Sequence, residues 1–245
     1  MSELLSGKTA LITGGGTGIG WGIARALAGA GCRVAIAGRR TEVLQQAVQA
    51  WSGQPAMVFH PCDVADRQSV NGLFAWAAQE LGALDILVNA AGLNIKTRSM
   101  AAMSPEQWDH VMNVNATGVY NCLHAALPGM RERQEGLIVN ISSTSGKRAA
   151  PLGGIAYNAS KFAVSALGIS VGGEVAPLGI RVTNIYPGEV NTPILEHRPQ
   201  PVSEERKARM LQPDDVAAMV LAVALLPPRA HVPELIIKPL SQEFV

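Results

Sequence analysis

Thr9-Ala10-Leu11-Ile12-Thr13-Gly14-Gly15-Gly16-Thr17-Gly18-Ile19-Gly20 joins a short β-rich run to a glycine-rich turn and the start of a helical stretch. Strand, turn and helix in that order form one half of a dinucleotide site. Glycines let the backbone approach a pyrophosphate closely, and the partial positive charge of a helix N-terminus favours its negative charge. The same glycines also suit a tight βα corner with no ligand, because turns use glycine for backbone reasons. The spacing Gly14-xxx-Gly18-x-Gly20 departs from the common GxGxxG.

The pattern that opens here repeats along the chain. Strands are expected at Thr9 to Thr13, Arg33 to Ala37, Met57 to His60, Ile86 to Asn89, Leu137 to Ile141, Arg181 to Tyr186 and Glu234 to Lys238. Helices are expected at Ile19 to Ala30, Glu42 to Trp51, Asp66 to Leu81, Pro105 to Met130 with a bend, Tyr157 to Val175 and Asp214 to Leu225. Such alternation predicts the α/β class: a single Rossmann-type, doubly wound parallel sheet of about seven strands with helices on both faces. Asp66 and Ser104 suit N-caps, the latter with Pro105 at the first helical position. Gly168, Gly172 and Gly173 each cost about 1 kcal/mol against alanine in a helix interior, so the last long helix must be held by packing.

With 245 residues, 48% hydrophobic, the chain fits one core, and a single domain is expected over 1–245. Residues 193–212, interrupted by Pro199 and Pro201, read as a loop-like insertion and a candidate substrate lid. A net charge of +1 without basic runs lacks the footprint of a nucleic-acid binder. Cys32, Cys62 and Cys122 are odd in number and widely spaced, which argues against a disulfide framework and clustered metal ligands. The start at Met1 to Gly7 lacks a long apolar segment, and Ala217 to Leu226 is too short to cross a bilayer. A cytoplasmic protein acting on small molecules, with no metal and no membrane partner, is expected.

Chemistry concentrates in Tyr157-Asn158-Ala159-Ser160-Lys161. In a helix, positions i and i+4 share a face, so the Lys161 ammonium can sit beside the Tyr157 oxygen and favour the phenolate. A phenol of ordinary pKa about 10 then becomes a usable general acid or base.

The glycine turn and the Tyr-Lys pair together resemble the short-chain dehydrogenase/reductase family, in the branch of about 250 residues, and the resemblance covers nearly the whole chain. Asp63-Val64 fits its adenine-contacting segment. Asn89-Ala90-Ala91-Gly92 resembles its NNAG segment, with alanine in second place. Asn115 fits its helix asparagine, and Asn140-Ile141-Ser142-Ser143 resembles the strand that delivers its serine. Pro187-Gly188, with Val190 and Thr192, resembles its nicotinamide-side loop. Each alone has a plainer explanation: Asp63 could organise a turn, Asn115 interrupt a helix, Ser143 end a strand.

The resemblance implies a catalytic set of Asn115, Ser143, Tyr157 and Lys161. Ser143 lies fourteen residues before Tyr157 where many relatives have thirteen, so Ser142 and Thr144 stay open as the carbonyl-binding hydroxyl. It implies cofactor contacts at Gly14, Thr17, Gly18, Ile19, Gly20, Arg39, Arg40, Asp63, Val64, Asn89, Ala90, Gly92, Tyr157, Lys161, Pro187, Gly188, Val190 and Thr192. Users of NAD place an acid about 20 residues after the turn. Gly38 stands there instead, followed by Arg39 and Arg40, so NADP (NADPH) is expected over NAD. Lys161 would also hold the ribose, and Asn115 a water that relays protons.

The implied reaction interconverts a carbonyl and an alcohol. A non-catalytic sensor of the NADP(H) state and a sugar-nucleotide epimerase are the alternatives. Lys96, Arg98, Lys147, Arg148, His197 and Arg198 fall in segments that line the cleft in relatives, which permits a polar or anionic substrate, although each also reads as a solvated loop charge. The end of the chain departs from the glycine-rich close of many relatives: Leu235 to Ile237 reads as a buried strand, stopped by Pro239. A homodimer or homotetramer is expected, with Phe162, Val164, Leu167 and Val171 as a helix face.

Overall fold

A computed structural model describes residues 4–243 and places seven parallel strands in one sheet of order β3-β2-β1-β4-β5-β6-β7. These are β1 Thr9–Thr13, β2 Arg33–Gly38, β3 Val58–Pro61, β4 Ile86–Asn89, β5 Gly136–Ile141, β6 Ile180–Pro187 and β7 Glu234–Ile237. Strands β1, β4 and β5 are buried at every position, as a sheet covered on both faces requires. One apolar cluster, with Ile12, Ile23, Leu27 and Val220, fills one face; a second, with Leu11, Leu73, Leu123 and Val164, fills the other.

The helices are α1 Gly18–Gly29, α2 Thr41–Ala50, α3 Arg67–Leu81, α4 Pro105–Met112, α5 Gly118–Arg133, α6 Ile155–Val175, α7 Glu204–Ala208 and α8 Pro213–Ala224. Expected caps are present: Asp66 accepts from the Gln68 amide, and Ser104 forms a reciprocal capping box with Gln107 behind Pro105. The long helix expected from Pro105 to Met130 is interrupted where a π-turn, Asn113–Thr117, separates α4 from α5. Asn115 sits in that turn. The glycines of α6 have a packing reason at Gly168, where a Cβ would run into the Asn184 side chain of β6.

Two readings of surface faces need correction. Strand β7 pairs only with β6 and is half-exposed: Leu235 and Ile237 pack on the core, whereas Ile236 is 47% exposed. An edge strand with one covered face alternates in this way. On α6, Val164 is fully buried and Leu167 and Val171 pack against the chain's own core, which leaves Phe162 and Ile169 as the exposed apolar residues of that helix. Residues 193–212 are also more structured than a loop. They carry a 3-10 turn, Pro193–His197, and α7, and Glu189 accepts from both Arg198 and Arg206 at 2.8 and 2.9 Å. Met1 to Glu3 and the final Phe244 and Val245 lie outside the described residues.

Candidate active site

The strand order reverses between β1 and β4, and ligands of open α/β sheets bind outside the carboxyl ends of strands at such a point. A cleft of about 980 Å³ opens there, at the upper end of the usual range for ligand pockets. Its floor begins with the turn between β1 and α1. Gly14 has φ +66°, and a Cβ there would lie 2.8 Å from the Ala91 backbone; at Gly20 it would run into the Gly14 carbonyl. Thr17, the N-cap of α1, spends its side chain on no cap hydrogen bond, and the first turn carries no acidic residue. A side-chain-free cradle at an uncapped, acid-free helix N-terminus suits a pyrophosphate. Gly38, Arg39 and Arg40 line the same cleft at the end of β2, and both arginines are exposed.

At the other end, α6 begins two residues before Tyr157 and packs on β6 and on the 3-10 turn that follows β5. Lys161 is buried, and its Nζ donates to the Ile141 carbonyl at 2.8 Å. Desolvation lowers its pKa from 10.5 to about 8. The Nζ stands 5.6 Å from the Tyr157 ring centroid. Burial raises the Tyr157 phenol above its ordinary pKa, while a hydrogen bond with Ser143 and the positive charge of Arg98 work in the opposite direction. The positive charge that lowers the phenol's pKa is that of Arg98, while Lys161 donates to a backbone carbonyl. A buried ammonium needs an acceptor, and Ile141 supplies the near one.

Among the three candidate hydroxyls, geometry separates the roles. Ser142 is buried and its Oγ donates to the Lys161 carbonyl at 3.0 Å, which ties β5 to α6. Ser143 faces the cleft, bonds Tyr157, and accepts from the Ser145 amide at 3.1 Å. Thr144 opens the following 3-10 turn and also borders the cleft. Ser143 alone combines a place in the cleft with a bond to the tyrosine.

Asn115 stands behind this wall. It donates to the Leu93 carbonyl at 2.9 Å and to Ser160 Oγ at 3.0 Å, and accepts from the Leu93 amide at 2.8 Å. The π-turn thereby ties the loop after β4 to α6, one residue from Lys161. Asn89 likewise does not line the cleft. Its amide donates to Asn140, which donates to Asn184, forming a buried ladder across β4, β5 and β6 at 2.9 and 3.0 Å; the Asn89 Oδ1 has no partner among the described residues.

Every other residue expected to contact a cofactor lines the cleft: Gly14, Thr17, Gly18, Ile19, Gly20, Arg39, Arg40, Asp63, Val64, Ala90, Gly92, Tyr157, Lys161, Pro187, Gly188, Val190 and Thr192. Asp63 also makes the turn, since its Oδ1 accepts from the Ala65 amide at 3.0 Å. Of the six loop charges, Arg98, Arg148, His197 and Arg198 reach the cleft, whereas Lys96 is exposed elsewhere and Lys147 pairs with Glu234. The sequence reading missed the C-terminal contribution: Gln242 and Glu243 border the cleft, and Gln242 Oε1 accepts from the Glu189 amide at 2.8 Å. Only the folded chain brings that tail against the Pro187-Gly188 turn.

Comparison with known proteins follows the geometry. The family profile described as short chain dehydrogenase matches residues 8–202. The chain is 36% identical over 241 residues to the glycine betaine reductase of Emericella nidulans, across 96% of its own length but only 19% of that much longer protein. It is 35% identical over 237 residues to an uncharacterised oxidoreductase of Staphylococcus aureus, covering 96% of this chain and 99% of that one. An alcohol dehydrogenase from the archaeon Thermococcus sibiricus, solved with 5-hydroxy-NADP, superposes with a TM-score of 0.86 at 29% identity, over 96% of this chain and 98% of that chain. Other similar structures hold NADP+ or NADPH, and a Brucella melitensis ketoacyl reductase holds NADH.

Proposed function

The chain belongs to the short-chain dehydrogenase family and is an NAD(P)-dependent oxidoreductase; we propose that it interconverts a small carbonyl compound and its secondary alcohol, with NADP(H) as the preferred cofactor and Tyr157 as general acid and base. The observation that carries this reading is the placement of the Tyr157 phenol in the cleft, hydrogen-bonded to Ser143 and one helical turn from the buried Lys161. The cofactor, when bound, supplies the hydride that becomes the new C–H bond. Ser143 donates to the substrate oxygen and stabilises charge as it develops. Tyr157 gives that oxygen its proton. Its raised pKa keeps the acid form present through the neutral range. Lys161, positive below about pH 8, then stabilises the phenolate and holds ribose hydroxyls. Asn115, fixed between Leu93 and Ser160, positions the loop after β4 against α6 beside Lys161.

Preference for the 2′-phosphate rests on Gly38, which leaves no carboxylate at the end of β2, and on the exposed Arg39 and Arg40 beside it. Losing one charge-assisted phosphate contact costs about 1.5 to 3 kcal/mol. Arg39→Ala should therefore weaken NADPH by about 10- to 100-fold while changing NADH little. Fluorescence titration of both cofactors against both proteins is the check. Wild-type protein that binds NADH as tightly as NADPH removes the cofactor assignment.

A further inference from the structure

Arg98 follows β4 and reaches the first turn of α6 from the substrate side of the cleft. Its backbone carbonyl accepts from the Ile155 amide at 3.1 Å, and its stem lies where a Cβ on Gly154 would come within 2.8 Å of its Cδ. Two residues on is Tyr157. The guanidinium meets only neutral carbonyls among the described residues: Nη1 donates to Leu152 and Gly153 at 2.7 and 3.0 Å, and Nη2 to His197 at 2.9 Å. A guanidinium has five N–H donors. Three are used, which leaves one on Nη2 and the buried Nε–H, for which the described residues offer no partner.

A cation that borders the active cleft, fixed in direction and without a carboxylate, is a receptor for an anion. The other arginines near this corner are engaged elsewhere: Arg198 and Arg206 both bind Glu189, and Arg148, which also borders the cleft, has a partner of its own. With Nε–H buried, the remaining Nη2–H and the uncancelled charge suit one carboxylate oxygen, whereas a phosphate dianion calls for more than one cation. We infer that Arg98 binds a carboxylate on the substrate, so that the compounds reduced at Tyr157 are short oxo acids and the alcohols formed are hydroxy acids. This rests on the hydride-transfer reading above and names its substrate class. The carbonyl carbon gains the hydride, its oxygen gains the Tyr157 proton, NADPH becomes NADP+, and the carboxylate is unchanged.

The test compares each acid with its own neutral ester. NADPH-dependent kcat/KM is measured for acetoacetate and pyruvate against methyl acetoacetate and methyl pyruvate, with wild type, Arg98→Met and Arg98→Lys. Wild type should favour at least one acid over its ester by about 10- to 100-fold, the factor carried by a charged hydrogen bond. Arg98→Met should erase that ratio, and Arg98→Lys should restore part of it by keeping the charge. Esters turned over as well as acids by wild type, or an unchanged ratio in Arg98→Met, overturns the inference while leaving hydride transfer intact. Turnover of no compound at all counts against hydride transfer itself. Calorimetry of malonate with the NADP+ complex then still decides the anion site: tighter binding to wild type than to Arg98→Met by a similar factor supports it, and equal or undetectable binding rejects it.

Discussion

Lys161 shows how one buried side chain can set the pH range of a site. The ammonium is desolvated and satisfied by a single carbonyl, and its pKa falls from 10.5 to about 8. A lysine is charged below its pKa, so in the folded protein the positive charge is present under about pH 8 and lost as pH rises through that value, well before an exposed lysine would release its proton. If Lys161 holds the ribose and the phenolate, NADPH affinity should be steady from pH 7 to about 8 and weaken above it. Fluorescence titration between pH 7 and 9.5 reads this directly, and a flat affinity across that range would remove Lys161 from cofactor binding. The Tyr157 and Lys161 pair was legible from its spacing alone. The part of Arg98 was not. It lies 59 positions earlier in sequence, and the bonds of its backbone to Ile155 and of its side chain to Leu152 and Gly153 bring it to the first turn of α6.

Secondary structure was readable wherever one pattern ran without interruption. All seven strands occur near the expected places; the inner ones, buried on both faces, leave continuous apolar runs between turn signals. A bend was legible between Pro105 and Met130, but not its form as a π-turn at Asn113–Thr117, since Val114 and Ala116 continue an apolar helix and tertiary bonds from Asn115 to Leu93 fix the extra residue. π-Turns inside helices frequently mark functional sites. The edge strand β7 misled for a related reason: Leu235-Ile236-Ile237 is a uniform apolar triplet, and nothing local says that one face is uncovered. The 193–212 segment combines both effects. Its prolines and charges suggest a loop, yet Glu189 gathers Arg198 and Arg206, and Val190 bridges Leu211. The Glu189–Arg198 pair is largely buried and only Arg206 is exposed, so the segment is anchored at Arg198, and its closing over bound ligands is a proposal. Hydrogen exchange over 193–212 should slow when NADPH and a substrate analogue are added together, and strong protection that is the same with and without them would identify a fixed structural loop.

The sheet, the glycine cradle and the Tyr157 pole act together only because the order β3-β2-β1-β4-β5-β6-β7 places the ends of β1, β4, β5 and β6 around one cleft. Among the described residues no helix is long and apolar enough to cross a membrane. The exposed apolar residues Trp108, Tyr120, Phe162 and Ile169 lie on α4, α5 and α6, and a homo-oligomer built on that side is consistent with them. Of the helix face read from sequence, Phe162 is exposed, whereas Val164, Leu167 and Val171 fold inward. The central claim is transfer of hydride to a carbonyl with a proton from Tyr157. It is tested most directly by turnover with NADPH carrying deuterium at the transferable position, followed by mass spectrometry of the alcohol formed. Wild type should place one deuterium on the carbinol carbon, with labelled product falling by at least about 100-fold in Tyr157→Phe, as loss of a general acid predicts. An unlabelled alcohol, or comparable labelled product from Tyr157→Phe, would contradict the account.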